Sequence, residues 1–139
     1  PSLYLILTLG IGSGFMIHFV LKENWGRPRP KQTLEYGGAQ PFLPYYQPNF
    51  LQTSEPSKSF SCGHCSMGFY FFAVALVGRA NKSRKLYWLG IAIALTLGSL
   101  LSLTRIIQGG HFFSDTLVSA LIMWLTAWIL ARYLLFKTN

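Results

Sequence analysis

Long apolar runs separated by polar connections are the dominant pattern of this chain. A membrane helix needs about 20 largely apolar residues, and four segments meet or approach that. Leu3–Leu21 carries no formal charge, and Phe60–Gly78 has His64 near its start. Leu86–Thr104 is apolar apart from Thr and Ser that can bond back to the helix. Phe112–Tyr133 holds Asp115 near one end and Arg132 near the other. The first run lacks the basic start and small-residue cleavage site of a signal peptide, so it reads as a span. The predicted fold class is therefore all-α: a polytopic transmembrane helical bundle with four spans in one domain, residues 1–139. Gly10 and Gly14 are four apart on one face of the first span, a spacing that predicts close helix packing.

The connections differ in kind. Arg79-Ala-Asn-Lys82-Ser-Arg84-Lys85 is short and basic, which places it in the cytoplasm. Alternation puts Pro1 and Lys137 on the same side. The stretch from Lys22 to Ser59 and the tight Ile106–Gly110 turn then face outward together. The outer loop carries Pro41, Pro44, Pro48 and Pro56 among Tyr36, Phe42, Tyr45, Tyr46 and Phe50. This composition suits an ordered cap over 31–59 at the interface rather than disorder. Trp25, Tyr45 and Tyr46 on one side, with Tyr87 and Trp88 on the other, suit aromatic belts at headgroup depth.

Composition strengthens the membrane reading. Of 139 residues, 51% are hydrophobic and 12% charged, against about 25% charged in soluble domains. The net charge of +8 fits cytoplasmic loops and anionic lipid headgroups. Nucleic acid is excluded as a partner because the basic residues sit in short loops and form no continuous patch. Two cysteines, Cys62 and Cys65, are too few for a disulfide framework. The chain enters an apolar run directly after Pro1, which reads as a fragment of a longer protein.

Candidate chemistry gathers at the outer ends of the spans. Asp115 is the chain's single Asp and lies four residues after His111, so both side chains share one helical face. A carboxylate that far into an apolar run is a functional hypothesis by default. Bonded to one imidazole nitrogen, it would fix the tautomer and leave the other nitrogen free as a nucleophile or base. The plainer alternative is a helix cap favoured by the dipole. Arg105 closes the third span, and the Gly109-Gly110 turn returns the chain to His111; a snorkelling side chain is the alternative there. Lys22, Arg27, Arg29 and Lys31 follow the first span, and some of them anchor to lipid phosphates. Pro28 and Pro30 stiffen the backbone around Arg29, whose planar fork matches phosphate oxygens. His64 stands behind Gly63 at a helix start, where free N–H groups favour an anion and glycine permits its close approach. His64 is placed to act as a general acid for a leaving oxygen. His18, inside the first span, reads as a packed side chain.

Cys62-Gly63-His64-Cys65 also matches the dithiol motif of protein disulfide isomerases, and thiols at a helix start have lowered pKa values. A membrane thiol oxidoreductase is the rival reading. No strand–helix pattern surrounds the motif, and the reading leaves Arg29, Arg105, His111 and Asp115 without a task.

Together these residues resemble the type 2 phosphatidic acid phosphatase superfamily, whose pattern is Lys-x6-Arg-Pro, then Pro-Ser-Gly-His, then Ser-Arg-x5-His-x3-Asp. Lys22, Arg29 and Pro30 match the first part, Gly63 and His64 the second, and Arg105, His111 and Asp115 the third. Ser61, Cys62 and Thr104 depart from it. Gly26-Arg-Pro-Arg-Pro30 and the Pro-rich loop look most like bacterial lipid phosphatases acting at the periplasmic face of the inner membrane, including lipid A phosphatases. Membrane members of this family have six spans, so the first two family helices are absent here. The resemblance implies a phosphorylated lipid substrate, no cofactor, no metal and a phosphohistidine intermediate. It implies attack by His111, Asp115 stabilising the imidazolium, and proton transfer by His64. Lys22, Arg29, Arg105, Cys62 and Gly63 would hold the phosphate. A lipid-to-lipid phosphotransferase with the same site, and a catalytically dead lipid-binding scaffold, stand beside hydrolysis. Headgroup, tail and oligomeric state are not encoded in any pattern of the chain.

Overall fold

A computed structural model describes residues 1–50 and 58–136. Among them the regular elements are helices, joined by one isolated bridge between Thr33 and Gln40. The first, α1, runs over Ser2–Lys22, wound as an α-helix over Ser2–Leu7 and as a wider π-helix over Thr8–Lys22. Next come α2 (Gly63–Phe69) and α3 (Phe71–Ala80), then α4 (Arg84–Ile107) and α5 (Phe113–Leu134).

Among the described residues three helices, α1, α4 and α5, are long and apolar enough to cross a membrane by length and composition. The expected second span is wound as two helices, α2 and α3, that meet at Tyr70, itself in a helical conformation. There the Ala73 N–H donates to the Tyr70 carbonyl at 2.9 Å, a tightened turn, and the Tyr70 hydroxyl donates to Leu5 O at 3.2 Å. Large side chains such as Leu3, Phe19, Trp88, Leu100 and Phe113 stay exposed on the helices' outer faces. This is the inverse of a soluble bundle and suits a lipid surround.

The pair α2–α3 packs against α4 on one side and α5 on the other, and α5 also packs on α1. Small residues set the spacing, as in membrane bundles generally. A Cβ on Gly68 would lie 2.6 Å from the Gly98 backbone of α4. The expected role of Gly10 and Gly14 in packing is not realised: no atom lies within 4 Å of a Cβ placed on Gly10, and Gly14 meets nothing beyond its own helix. Their shared face points outward. Gly12, on the opposite side, is the one that meets α5, at Met123.

Buried hydroxyls tie the helices together where water is absent. Tyr4 donates to Ala127 O (3.1 Å), Ser13 and Ser66 share a bond of 2.8 Å, and Ser119 donates to Cys62 O (3.0 Å). A core cluster of Ile17, Cys62, Cys65, Phe69 and Met123 underlies the end of the bundle that carries the candidate site.

The basic Asn81–Ser83 turn, with Ser83 capping α4, lies at one end of the bundle. At the other end the described parts of the long connection bond to one another and to the α4–α5 turn. Trp25 donates from Nε1 to Tyr45 O at 2.9 Å and stacks on Phe60 at 4.9 Å. The Asn49 N–H donates to Trp25 O, and the Lys31 N–H reaches Gly109 O at 3.2 Å. Pro56, within the expected cap over 31–59, and Lys137, which the topology rests on, lie outside the described residues.

Candidate active site

The end of α1, the Gly26–Pro30 segment, the start of α2 and the α4–α5 turn meet at this second end. Lys22, Arg29 and Arg105 all lie close enough to His111 to act on its ionisation, and the same three cations lie within electrostatic reach of His64. Lys22 also feels Arg29 and Arg105 directly. Three cations and two imidazoles therefore share one neighbourhood. Lys22, Arg29 and Arg105 are half-buried and His64 is exposed, whereas His111 is 1% exposed.

Burial lowers the His111 pKa to about 4. A bond to the Ser59 carbonyl opposes this, while Arg105, Arg29 and Lys22 add to the depression. The ring is neutral at pH 7. Its Nδ1 lies 2.6 Å from Ser59 O. A carbonyl oxygen can only accept, so Nδ1 carries the proton and Nε2 presents a bare lone pair.

This differs from the expected direct bond between Asp115 and His111. The Asp115 carboxylate stands 3.9 Å from Nδ1, beyond hydrogen-bond range. Its Oδ2 accepts from the Ser59 hydroxyl at 2.6 Å and from the Phe112 N–H at 2.8 Å. Asp115 thus does cap the start of α5. Its Oδ1 is paired with Arg27, whose guanidinium also donates to Ser114 Oγ and Leu43 O, each at 2.8 Å, and lies 4.2 Å from the centre of the Phe112 ring. Arg27 is 2% exposed and Asp115 is fully buried.

Arg27 and Ser59 are the residues that sequence reasoning passed over. Arg27 was grouped with the basic flank because nothing local separates it from Arg29, two residues on. Ser59 belongs to no motif. The one available hint was charge: a lone buried Asp needs a cation.

Two further expectations change at the start of α2. Cys62 and Cys65 form a disulfide, both are fully buried, and Cys62 Sγ accepts from the Cys65 N–H at 3.2 Å. Cys62 therefore has no S–H to offer a phosphate, and the backbone N–H expected to remain for it points to Asp115 O at 3.5 Å. The space that a side chain on Gly63 would occupy is filled by His18. A Cβ there would fall 2.6 Å from both Cε1 and Nε2 of that ring. His18, expected to be a packed side chain, is exposed and sits at the lip of the site beside His64 and Lys22.

Around α4 the Arg105 guanidinium donates to Gln108 Oε1 at 3.0 Å, while its shielded Nε has no partner among the described residues. Among the same residues no three His, Cys, Asp or Glu side chains are grouped to hold a metal ion.

The model of the PAP2 superfamily matches residues 3–139. The chain belongs to the PAP2 superfamily. It is 34% identical over 128 residues to a lipid A 4'-phosphatase of Francisella tularensis subsp. novicida, covering 91% of this chain and 54% of that protein. A lipid A 4'-phosphatase of Rhizobium leguminosarum is 33% identical over 136 residues, 95% of this chain and 52% of the relative. One of Rhizobium etli is 29% identical over 133 residues, with 95% and 48% covered. The chain spans about half the length of the curated relatives it matches. No solved structure matches it.

Proposed function

We propose that this PAP2 chain is the catalytic part of an integral-membrane lipid phosphatase that releases phosphate from a phosphorylated lipid through a phosphohistidine. The observation that carries this reading is the His111 ring: neutral, its Nδ1 tied to Ser59 O, its Nε2 left as the nucleophilic nitrogen, and three cations close by. Attack of Nε2 on phosphorus forms the P–N bond as the bond to the lipid oxygen breaks. Lys22, Arg29 and Arg105 offset charge on the equatorial oxygens, where loose phosphoryl-transfer transition states concentrate it. His64, exposed beside them, gives a proton to the leaving lipid oxygen. It then takes one from the water that cleaves the P–N bond. Asp115 lies close enough to favour the imidazolium electrostatically without bonding to it.

The curated relatives' names make lipid A, with its phosphate monoesters, the first substrate to try. The basic Asn81–Ser83 end supports a site on the periplasmic face of a bacterial inner membrane. The thiol-oxidoreductase reading is less well supported, because it needs a thiolate to reach the Cys62–Cys65 disulfide, whose two residues are buried. The test is phosphate release by the complete protein from lipid A, phosphatidylglycerol phosphate, phosphatidic acid and polyprenyl diphosphate, with His111→Ala alongside. Loss of about three orders of magnitude or more is expected for that variant. Full activity in it would remove the mechanism. Transfer of phosphate to a second lipid, without free phosphate, would favour the phosphotransferase.

A further inference from the structure

Every polar group of Ser59 is engaged, and each engagement leads to the catalytic histidine. Its N–H donates to Arg27 O at 3.0 Å. Its hydroxyl donates to Asp115 Oδ2 at 2.6 Å, and its carbonyl accepts from His111 Nδ1 at 2.6 Å. Ser59 is wholly buried, as is Asp115. Arg27 closes the figure: its backbone holds the Ser59 N–H, and its guanidinium pairs with the same Asp115 that holds the Ser59 hydroxyl. The three residues come from the two ends of the outer connection and from α5, and their contacts close a triangle behind the imidazole.

We infer that Ser59 is the positioning residue that orients His111, and that Arg27 and Asp115 set the ring's orientation through it, apart from the direct electrostatic effect of Asp115. The inference rests on reading His111 as the nucleophile, and deepens it by moving the orienting contact from the carboxylate to a backbone carbonyl.

The physical reason is geometric and electrostatic. A carboxylate bonded directly to Nδ1 would draw the proton toward itself and raise the basicity of the ring. A neutral carbonyl fixes the same tautomer with a weaker pull, which leaves a buried ring uncharged before attack. A backbone carbonyl has no side-chain rotamers, so its aim is as good as the fixation of its residue. That fixation is what the hydroxyl bond to Asp115 and the N–H bond to Arg27 supply. Asp115 is in turn prevented from swinging toward Nδ1 by Arg27 on one oxygen and the Phe112 N–H on the other.

The experiment uses the complete protein in detergent, with short-chain phosphatidic acid as the probe. Ser59→Ala, Asp115→Asn, their double variant and His111→Ala are compared. The tautomer of His111 is read from imidazole nitrogen NMR. In the wild type, Nδ1 is expected to carry the proton. Ser59→Ala is expected to lower kcat about tenfold with KM within about twofold and to mix the two tautomers. The double variant is expected to be no slower than Asp115→Asn alone, because both act through one route. Wild-type kcat in Ser59→Ala, losses that multiply in the double variant, or an Nε2-protonated ring in the wild type would each overturn the inference. Where Ser59→Ala does not fold, an Nε2-protonated ring in the wild type still overturns the inference, and Ser59→Thr, which keeps the hydroxyl bond, should keep kcat within about threefold, whereas a loss of about tenfold there would count against it. Failure of the nucleophile reading shows separately, as activity retained by His111→Ala, and leaves the tautomer measurement to judge the Ser59 contact by itself.

Discussion

Arg27 offers the sharpest test of the energetics, because two readings of it predict opposite results. As a basic flank on lipid phosphates it would be dispensable for stability, since exposed ion pairs contribute about 0–1 kcal/mol. As the buried partner of Asp115 it is not. Arg27→Met removes the charge facing Asp115 Oδ1, the donors to Ser114 Oγ and Leu43 O, and the guanidinium lying over the Phe112 ring. The methionine fills part of the space, but a fully buried carboxylate is left with the Ser59 hydroxyl and the Phe112 N–H alone. Breaking a buried pair from one side costs about 3–5 kcal/mol. At roughly 2–4 °C per kcal/mol, the unfolding midpoint should fall by at least about 6 °C. Adding Asp115→Leu removes the stranded charge, and replacing both partners by apolar groups is often close to neutral. The double variant should therefore recover most of the lost midpoint while remaining inactive. The assay is tryptophan fluorescence during a thermal ramp of the complete protein in one fixed detergent. A midpoint within about 2 °C of wild type for Arg27→Met, less than 1 kcal/mol, would refute the reasoning, as would a double variant less stable than the single one.

Gly63→Ala should displace the His18 ring and lower activity, and His18→Ala in the same chain should restore much of the loss; no restoration would return Gly63 to the phosphate. Titration of His111 gives a signed stability effect. Its folded pKa of about 4 lies below the unfolded value near 6.5, so between those values the unfolded chain binds more protons. Stability should hold above about pH 6.5 and fall by about 3 kcal/mol as the pH drops to 4; denaturant midpoints across that window check it, and a His111→Phe variant should lose the slope. The Cys62–Cys65 disulfide closes a short loop at the start of α2, worth about 2 kcal/mol in chain entropy. Cys62→Ala with Cys65→Ala should lower the thermal midpoint while keeping phosphate release within about threefold, whereas abolished activity would mean that the sulfurs take part in the chemistry.

The residues legible in the sequence are those whose chemistry and spacing are unusual for their setting. His111 and Asp115 stand four apart at the mouth of an apolar run, Arg105 precedes a double-glycine turn, and Lys22 and Arg29 bracket a proline-stiffened segment; each is conspicuous where it stands. The helical class follows from apolar length by the same logic. What could not be read depends on distances across the chain. Arg27 and Arg29 have the same side chain, similar neighbours and alternating positions, and which one turns inward is decided by Asp115, 88 residues away. Ser59 is legible to no local pattern because its essential group is a carbonyl, which every residue has. Gly10 and Gly14 obey a packing rule whose outcome depends on which face of α1 meets α5, and apolar content around that helix is too even to say. The Asp115 prediction failed in the most informative way. Helical spacing placed the carboxylate beside the imidazole correctly, but nearness on one helix does not assign a hydrogen bond when other donors compete for the same oxygens. The Ser59 hydroxyl and the Phe112 N–H take Oδ2, Arg27 takes Oδ1, and a carbonyl from another segment takes Nδ1–H. In a site this dry each acceptor is claimed by whichever donor would otherwise stay unpaired, so the role of Asp115 follows from the whole set of competing groups and not from its spacing to His111.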